Sequence, residues 1–120
     1  MANEVLEALR AMRPPFALYE ADIHKMVEER LAACGLAYGH EVRLAQGCRI
    51  DYMIGGVGVE IKKGKPKQEV LLGQLERYAR CEQVESLIVI SWQSVRLPAH
   101  IVGKPLYLLP LSQLWGVSLP

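Results

Sequence analysis

The feature that most constrains the fold of this chain is a pair of apolar stretches joined by two glycines. Residues 49–54 and 57–63 alternate apolar with polar or small side chains, and Gly55-Gly56 lies between them. Two glycines in this position are a strong signal for a β-hairpin with a two-residue turn, because such turns need positive φ angles. The pattern therefore predicts a hairpin in which Ile54 pairs with Val57.

The same register brings three charged side chains together. Counting back from the turn places Asp51 opposite Glu60, and opposed residues of an antiparallel pair have Cβ atoms about 4.5–5.5 Å apart. Lys62 follows Glu60 by two residues and shares its face. A four-residue loop would oppose Asp51 to Lys62 and leave Glu60 as the diagonal neighbour. A three-residue loop would separate the groups, because a one-residue slip exchanges the two faces.

Two directly opposed carboxylates destabilise a hairpin unless a cation compensates them or a pKa shifts. Lys62 would compensate one charge, whereas a divalent metal would compensate both. Mg²⁺ typically binds proteins through one or two carboxylates together with phosphate oxygens and water. Glu20 precedes Ile23 by three residues, so it is predicted to lie on the apolar, inward side of its helix and to add a third carboxylate. The alternative is an ordinary cross-strand salt bridge on a solvent-exposed face.

The segments around the hairpin predict an α/β domain. Residues 86–92 form a continuous apolar run, as expected of a strand buried on both faces. A helix over residues 17–33 has Glu28 on its charged side. Its apolar stripe comprises Phe16, Ile23, Val27, Leu31 and Cys34. The remaining predicted elements are helices over 3–12, 68–81 and 111–115 and strands over 40–46 and 106–109. The order α-α-β-β-β-α-β-β predicts a mixed central β-sheet flanked by helices.

Composition limits the class of protein. The chain has 120 residues, of which 51% are hydrophobic and 22% charged, so we expect one folded domain over residues 1–120 with a core over about 17–109. Apolar runs fall short of the roughly 18–20 residues of a membrane span, and the N-terminus lacks the basic and apolar regions of a signal peptide. We therefore expect a cytoplasmic protein with no membrane partner. The three cysteines and three histidines are too widely spaced to match a short metal-binding motif.

A basic segment follows the hairpin. Four of the eight basic residues beyond position 61 are Lys62, Lys63, Lys65 and Lys67, in a chain whose net charge is only +1. Clustered cations on a nearly neutral protein indicate contact with a polyanion. The alternative is a lysine-rich turn that is simply solvated.

Taken in order, these residues resemble the signature of the PD-(D/E)XK nuclease superfamily. Asp51, an eight-residue gap and then Glu60-Ile61-Lys62 resemble its Asp…(Asp/Glu)-x-Lys motif. The following helix contains Gln74 and Tyr78, which resemble the Gln-x-x-x-Tyr motif of the RecB-type branch. The resemblance covers about residues 17–92. It implies a restriction-endonuclease-like αβββαβ core.

The resemblance also implies a role for each residue of the motif. Asp51, Glu60 and the carbonyl oxygen of Ile61 would ligate Mg²⁺, with Mn²⁺ as a substitute. Glu20 would ligate the metal directly or through water. Lys62 would orient or help to deprotonate the attacking water, or stabilise charge that develops on phosphorus.

Further residues are assigned to positioning and to the nucleic-acid backbone. Gln74 and Tyr78 lie four apart on one helical face and would position Lys62 or the phosphate, with helix–sheet packing as the alternative for Tyr78. The residues expected to contact the nucleic acid are Lys63, Lys65, Lys67, Tyr78 and Arg49. The chain departs from the superfamily at Ile50, where a proline is common, and it lacks the iron–sulfur cysteines of some RecB-type members.

These features predict a metal-dependent nuclease that hydrolyses phosphodiester bonds in DNA through a metal-activated water, with an endonuclease favoured over an exonuclease. One alternative is a module of the same fold that binds nucleic acid or assembles with a partner without catalysis. Another is an enzyme directed at RNA. Because so small a domain offers little surface for a duplex, we expect a homodimer or a larger assembly. The apolar segment 106–119 is predicted to complete the core, with a subunit contact as the alternative.

Overall fold

A six-stranded mixed β-sheet with helices on both faces organises the chain, in a computed structural model that describes residues 1–14 and 19–116. Its helices are α1 (Ala2–Arg10), α2 (Glu20–Ala33), α3 (Gln68–Ala79) and α4 (Leu111–Trp115). Its strands are β1 (Gly39–Ala45), β2 (Cys48–Ile54), β3 (Val57–Lys62), β4 (Ser86–Ser91), β5 (His100–Ile101) and β6 (Lys104–Pro110). None of the helices in the described ranges has the length and hydropathy needed to cross a bilayer.

The strand order is β1-β2-β3-β4-β6-β5. β3, β4 and β6 run parallel to one another, whereas β1–β2, β2–β3 and β5–β6 are antiparallel pairs. α3 connects the parallel strands β3 and β4, as a crossover helix does in α/β folds. The predicted α/β class with a mixed, helix-flanked sheet is therefore confirmed.

The two faces of the sheet contact different helices. One face packs against α1, α2 and α4 through buried residues such as Leu9, Ile23 and Leu111. The other face packs against α3 through Leu71 and Leu75. All six residues of β4 are buried, as predicted for a strand covered on both faces.

Helix α2 differs in part from its prediction. Ile23, Val27 and Leu31 are buried as expected. Cys34 is exposed, because it follows the last helical turn as the C-cap residue. The predicted start at residue 17 and the stripe residue Phe16 lie outside the described residues.

The C-terminal apolar segment belongs to the core as far as the structure describes it. Leu106, Leu109 and Leu111 are buried. Trp115 is partly buried, and its indole Nε1 donates to the carbonyl oxygen of Met12 at 3.1 Å. The core interpretation is thus confirmed over residues 106–115, while residues 117–119 of the predicted segment lie outside the described part.

The alternation of side chains between the two faces of the sheet is interrupted in strand β2 at Asp51. Tyr52 belongs to the layer under α2, whereas Ile50 belongs to the layer under α3, although residues two apart on a regular strand share a face. The neighbouring strand is irregular at the same place: Glu41, which the flanking pairs set opposite Asp51, has a φ of +51°. Both strands are therefore irregular at the same position, and they remain paired on either side of it. The Asp51 side chain lies in neither apolar layer.

Candidate active site

The hairpin turn has the two-residue length that the sequence predicts. Ile54 pairs with Val57 across the two glycines, and Gly55 takes a φ of +57°. The ladder continues for two more pairs and then ends. The next step in this register sets Asp51 against Glu60, so the three-residue and four-residue loops are excluded.

Beyond the last pair of the ladder, the two carboxylates take over the hydrogen bonds between the strands. The backbone N–H of Asp51 donates to Glu60 Oε1 at 3.2 Å, and the N–H of Ile61 donates to Asp51 Oδ2 at 2.7 Å. These reciprocal bonds hold both side chains between the diverging strands. In an extended residue the N–H and C=O point to the same edge of the strand, so the carbonyl oxygen of Ile61 faces Asp51 as well.

Lys62 and Gln74 converge on the second oxygen of Glu60. Lys62 Nζ lies 3.1 Å from Glu60 Oε2, and Gln74 Nε2 donates to the same oxygen at 3.2 Å. Glu60 is only 5% exposed, whereas the Lys62 side chain is 27% exposed. The ammonium group is thus paired with a buried carboxylate and still open to solvent. This confirms the predicted clustering of Asp51, Glu60 and Lys62.

The pKa of Glu60 is shifted by its surroundings. Burial raises this pKa above its ordinary value of 4.5, and the negative charge of Asp51 raises it further. Lys62 lowers the pKa through its charge and its hydrogen bond, but the net direction is upward. A buried carboxyl held next to a second carboxylate is a typical arrangement at functional sites.

This shift predicts a pH dependence of folding stability in the metal-free protein. Because the folded-state pKa of Glu60 lies above the unfolded value, the folded protein binds the Glu60 proton more tightly than the unfolded chain does. Proton binding therefore contributes to the free energy of unfolding in full below about pH 4.5, and this contribution is lost as the pH rises through the folded-state pKa. We expect wild type to lose stability over this range and Glu60→Gln to lose less. Urea unfolding in EDTA at a series of pH values measures the difference. Equal pH dependence in the two proteins would contradict the prediction.

Gln74 and Tyr78 support Glu60 rather than Lys62 or a phosphate. Gln74 Nε2 also donates to the Tyr78 hydroxyl at 2.8 Å, and that hydroxyl donates to the carbonyl oxygen of Arg49 at 2.8 Å. Tyr78 is 2% exposed, and its burial, together with the nearby charge of Glu60, raises its pKa. The predicted nucleic-acid contact of Tyr78 is therefore wrong, because the ring is buried and the hydroxyl is already bonded. Its alternative, packing of the helix on the sheet, is what the structure shows.

Tyr78→Phe is expected to lower the free energy of unfolding by about 1–2 kcal/mol, because the hydrogen bond from the buried Tyr78 hydroxyl to the carbonyl oxygen of Arg49 is lost. Urea unfolding measures the change. Tyr38→Phe is the matched control, since the Tyr38 hydroxyl donates to Glu28 Oε1 at 3.2 Å in an exposed position. A loss that is no larger for Tyr78→Phe than for the control would argue against a structural role of the Tyr78 hydroxyl.

Glu20 does not join the carboxylate pair as an inward-facing group. It is the first residue of α2 and its side chain is exposed, because the buried stripe of the helix begins one turn later at Ile23. Across residues 1–14 and 19–116, His, Cys, Asp and Glu side chains form no group of three or more arranged to hold a metal ion. The protein donors that this site offers are thus the carboxylates of Asp51 and Glu60 and the carbonyl of Ile61. This set of oxygen atoms suits Mg²⁺ or Mn²⁺, which keep several water ligands.

The remaining predicted contact residues lie at the surface beside the site. Lys63, Lys65 and Lys67 are exposed, on the turn that leads from β3 into α3. Lys63 Nζ lies 5.5 Å from the ring centroid of Trp92, which holds this ammonium by a cation–π contact. Arg49 is exposed on β2.

A second polar network, which the sequence analysis missed, lies under α2. The buried Tyr52 hydroxyl donates to Glu28 Oε2 at 2.6 Å and lies 3.1 Å from His24 Nδ1. The His40 ring stacks on Tyr52 with 4.7 Å between ring centroids. Glu28 is thus partly turned toward the sheet and not simply on the charged face of its helix. The network anchors the residue next to Asp51, and the four-residue spacing of His24 and Glu28 was the available sequence signal.

Comparison of the chain with protein-family models, with curated proteins and with solved structures found no match.

Proposed function

We propose that this chain is a metal-dependent nuclease of the PD-(D/E)XK superfamily, RecB-type branch, which hydrolyses phosphodiester bonds in DNA. The observation that carries the proposal is the contact set of Asp51, Glu60 and Lys62 where β2 and β3 diverge. The element order α2-β1-β2-β3-α3-β4 supports it, since this is the αβββαβ order that the resemblance implies.

The donor atoms at the hairpin fit a hard divalent cation. Asp51, Glu60 and the carbonyl oxygen of Ile61 would hold Mg²⁺, or Mn²⁺ in its place. When bound, the ion would lower the pKa of a coordinated water and offset the charge of the phosphate. The reciprocal hydrogen bonds between the two strands keep the carboxylates in place before any ligand arrives, so little reorganisation is needed on binding.

We assign to Lys62 the stabilisation of the negative charge that develops on the phosphate in the transition state. An ammonium group paired with Glu60 has protons to donate and no lone pair with which to accept one. In this role it would stabilise negative charge on the phosphate and orient the attacking water. In the reaction the water oxygen bonds to phosphorus, the bond from phosphorus to the leaving sugar oxygen breaks, and the leaving oxygen gains a proton as the water loses one.

The surface cations provide affinity for the nucleic-acid backbone. Lys63, Lys65, Lys67 and Arg49 are exposed, follow Lys62 or precede Asp51 closely in the chain, and have no carboxylate partner among the ion pairs of the described residues. Contacts of this kind bind phosphates without reading sequence, and they weaken as salt displaces them. We therefore expect binding that depends steeply on ionic strength.

A panel of labelled substrates tests the proposal. Duplex, single-stranded and branched DNA, a closed single-stranded DNA circle and a matched RNA are incubated with Mg²⁺, Mn²⁺ or EDTA. We expect cleavage of DNA that requires the metal and includes the closed circle, as an endonuclease requires. Binding to DNA without cleavage under all conditions would overturn the proposal in favour of a non-catalytic module. Cleavage of RNA alone would change the substrate class.

A homodimer remains part of the proposal. A symmetric pair of domains would present two sites for cuts in opposite strands and would double the surface available to a duplex. Sedimentation velocity, with and without a DNA duplex, measures the assembly. A monomer in both conditions would exclude the dimer without affecting the assignment of the catalytic residues.

A further inference from the structure

A small pocket opens beside the carboxylate pair, between the lysine turn and the first turns of α3. Its volume is about 160 Å³. Pro66, Val70 and Leu71 form an apolar wall, and Lys62, Lys67 and Gln74 contribute polar groups.

The pocket is continuous with the candidate active site. Two of its lining residues, Lys62 and Gln74, contact Glu60 Oε2 at 3.1 and 3.2 Å. A group that fills the pocket therefore lies next to any phosphate held by Asp51, Glu60 and Lys62. A part of the substrate close to the reacting phosphorus can therefore reach the pocket.

The character of the lining indicates which part of the substrate enters. Val70 is 68% exposed, so its apolar side chain is an accessible part of the pocket wall. Lys67 is exposed at the N-cap of the same helix. An apolar wall with a cationic rim is complementary to a nucleotide, which joins an apolar base face to an anionic phosphate.

We propose that this pocket receives the unstacked base of the nucleotide adjacent to the scissile phosphate. This inference rests on the nuclease function proposed above and adds the substrate class. In a duplex both faces of a base are covered by its neighbours, so only an unpaired base can place a face against Val70 and Pro66. The enzyme therefore acts on single-stranded DNA or on unpaired nucleotides at a branch or an end.

The test combines a change in the protein with a change in the substrate. Single-stranded oligonucleotides carry one abasic nucleotide at successive positions around the cleavage site. In wild type, the abasic nucleotide next to the cut is expected to raise KM by roughly threefold to tenfold, because the apolar contact of the base with Val70 and Pro66 is lost. In Val70→Ser, the KM for the intact oligonucleotide is expected to rise by a similar factor, and the additional abasic penalty is expected to disappear.

Glu69→Gln is the matched control, because Glu69 is exposed on the same turn of α3 and does not line the pocket. An abasic penalty of equal size in wild type and Val70→Ser would overturn the pocket inference, as would equal kcat/KM for fully paired duplex and single-stranded DNA. The nuclease function would stand in both cases, since cleavage would still be observed. Absence of metal-dependent cleavage of any substrate would overturn the proposed function and this inference together.

Discussion

Replacement of Asp51 by asparagine is expected to reduce Mg²⁺-dependent DNA cleavage by roughly a thousandfold or more, because loss of the metal removes several kcal/mol of transition-state stabilisation. Asparagine retains an oxygen that can accept the hydrogen bond from the N–H of Ile61. It lacks the negative charge that attracts the cation. Cleavage rates with a labelled oligonucleotide and calorimetric titration with Mg²⁺ measure the two consequences separately.

The same substitution separates a functional carboxylate pair from a structural one. Because Asp51→Asn removes the repulsion from Glu60, the metal-free variant is expected to unfold at the same temperature as wild type or higher. Asp22→Asn is the matched control, since Asp22 accepts a hydrogen bond from the backbone of Tyr19 at the start of α2. Full activity of Asp51→Asn, or an equal loss of activity in the control, would contradict the proposed metal site.

Replacement of Lys62 by methionine is expected to reduce kcat by roughly a hundredfold to a thousandfold, the usual effect of removing one preorganised donor. Methionine keeps most of the unbranched side chain but has no positive charge. The affinity for Mg²⁺ is expected to hold or increase, because no ammonium then competes for Glu60 Oε2. Single-turnover kinetics at saturating Mg²⁺ and calorimetry measure the two quantities.

Lys65→Met is the control for this experiment, since Lys65 is exposed on the neighbouring turn. It should weaken binding, most strongly at low salt, make binding less dependent on ionic strength and leave kcat unchanged, as expected of a contact to the backbone phosphate. If Lys62→Met raised KM alone and left kcat intact, Lys62 would be a phosphate tether and its assigned role in the transition state would be wrong.

The parts of the fold that the sequence predicts are those governed by local chemistry. The two glycines after Ile54 determine the turn, and the turn determines the register that brings Asp51 to Glu60. The apolar run of β4 is equally local, because a strand covered on both faces needs apolar residues at every position. Metal binding and catalysis remain predictions.

The parts that the sequence does not reveal depend on contacts between distant segments or on unusual backbone angles. β5 has two residues, too few for an alternating pattern, and its turn includes Val102 at a φ of +51°, which a β-branched residue rarely adopts. The exposure of Glu20 depends on where α2 begins relative to the sheet. The bond from Tyr52 to Glu28 joins residues 24 positions apart, and helical periodicity alone assigns Glu28 to solvent.

The reversal of β2 at Asp51 divides this strand into two halves whose side chains pack in layers under different helices. Ile50 must suit the layer of α3 and Tyr52 must suit the layer of α2, whereas the residue between them fits into neither. Substitution at that position is consequently limited by chemistry more than by folding. In the proposed nuclease, a substitution at position 51 would therefore abolish the reaction well before it unfolded the domain.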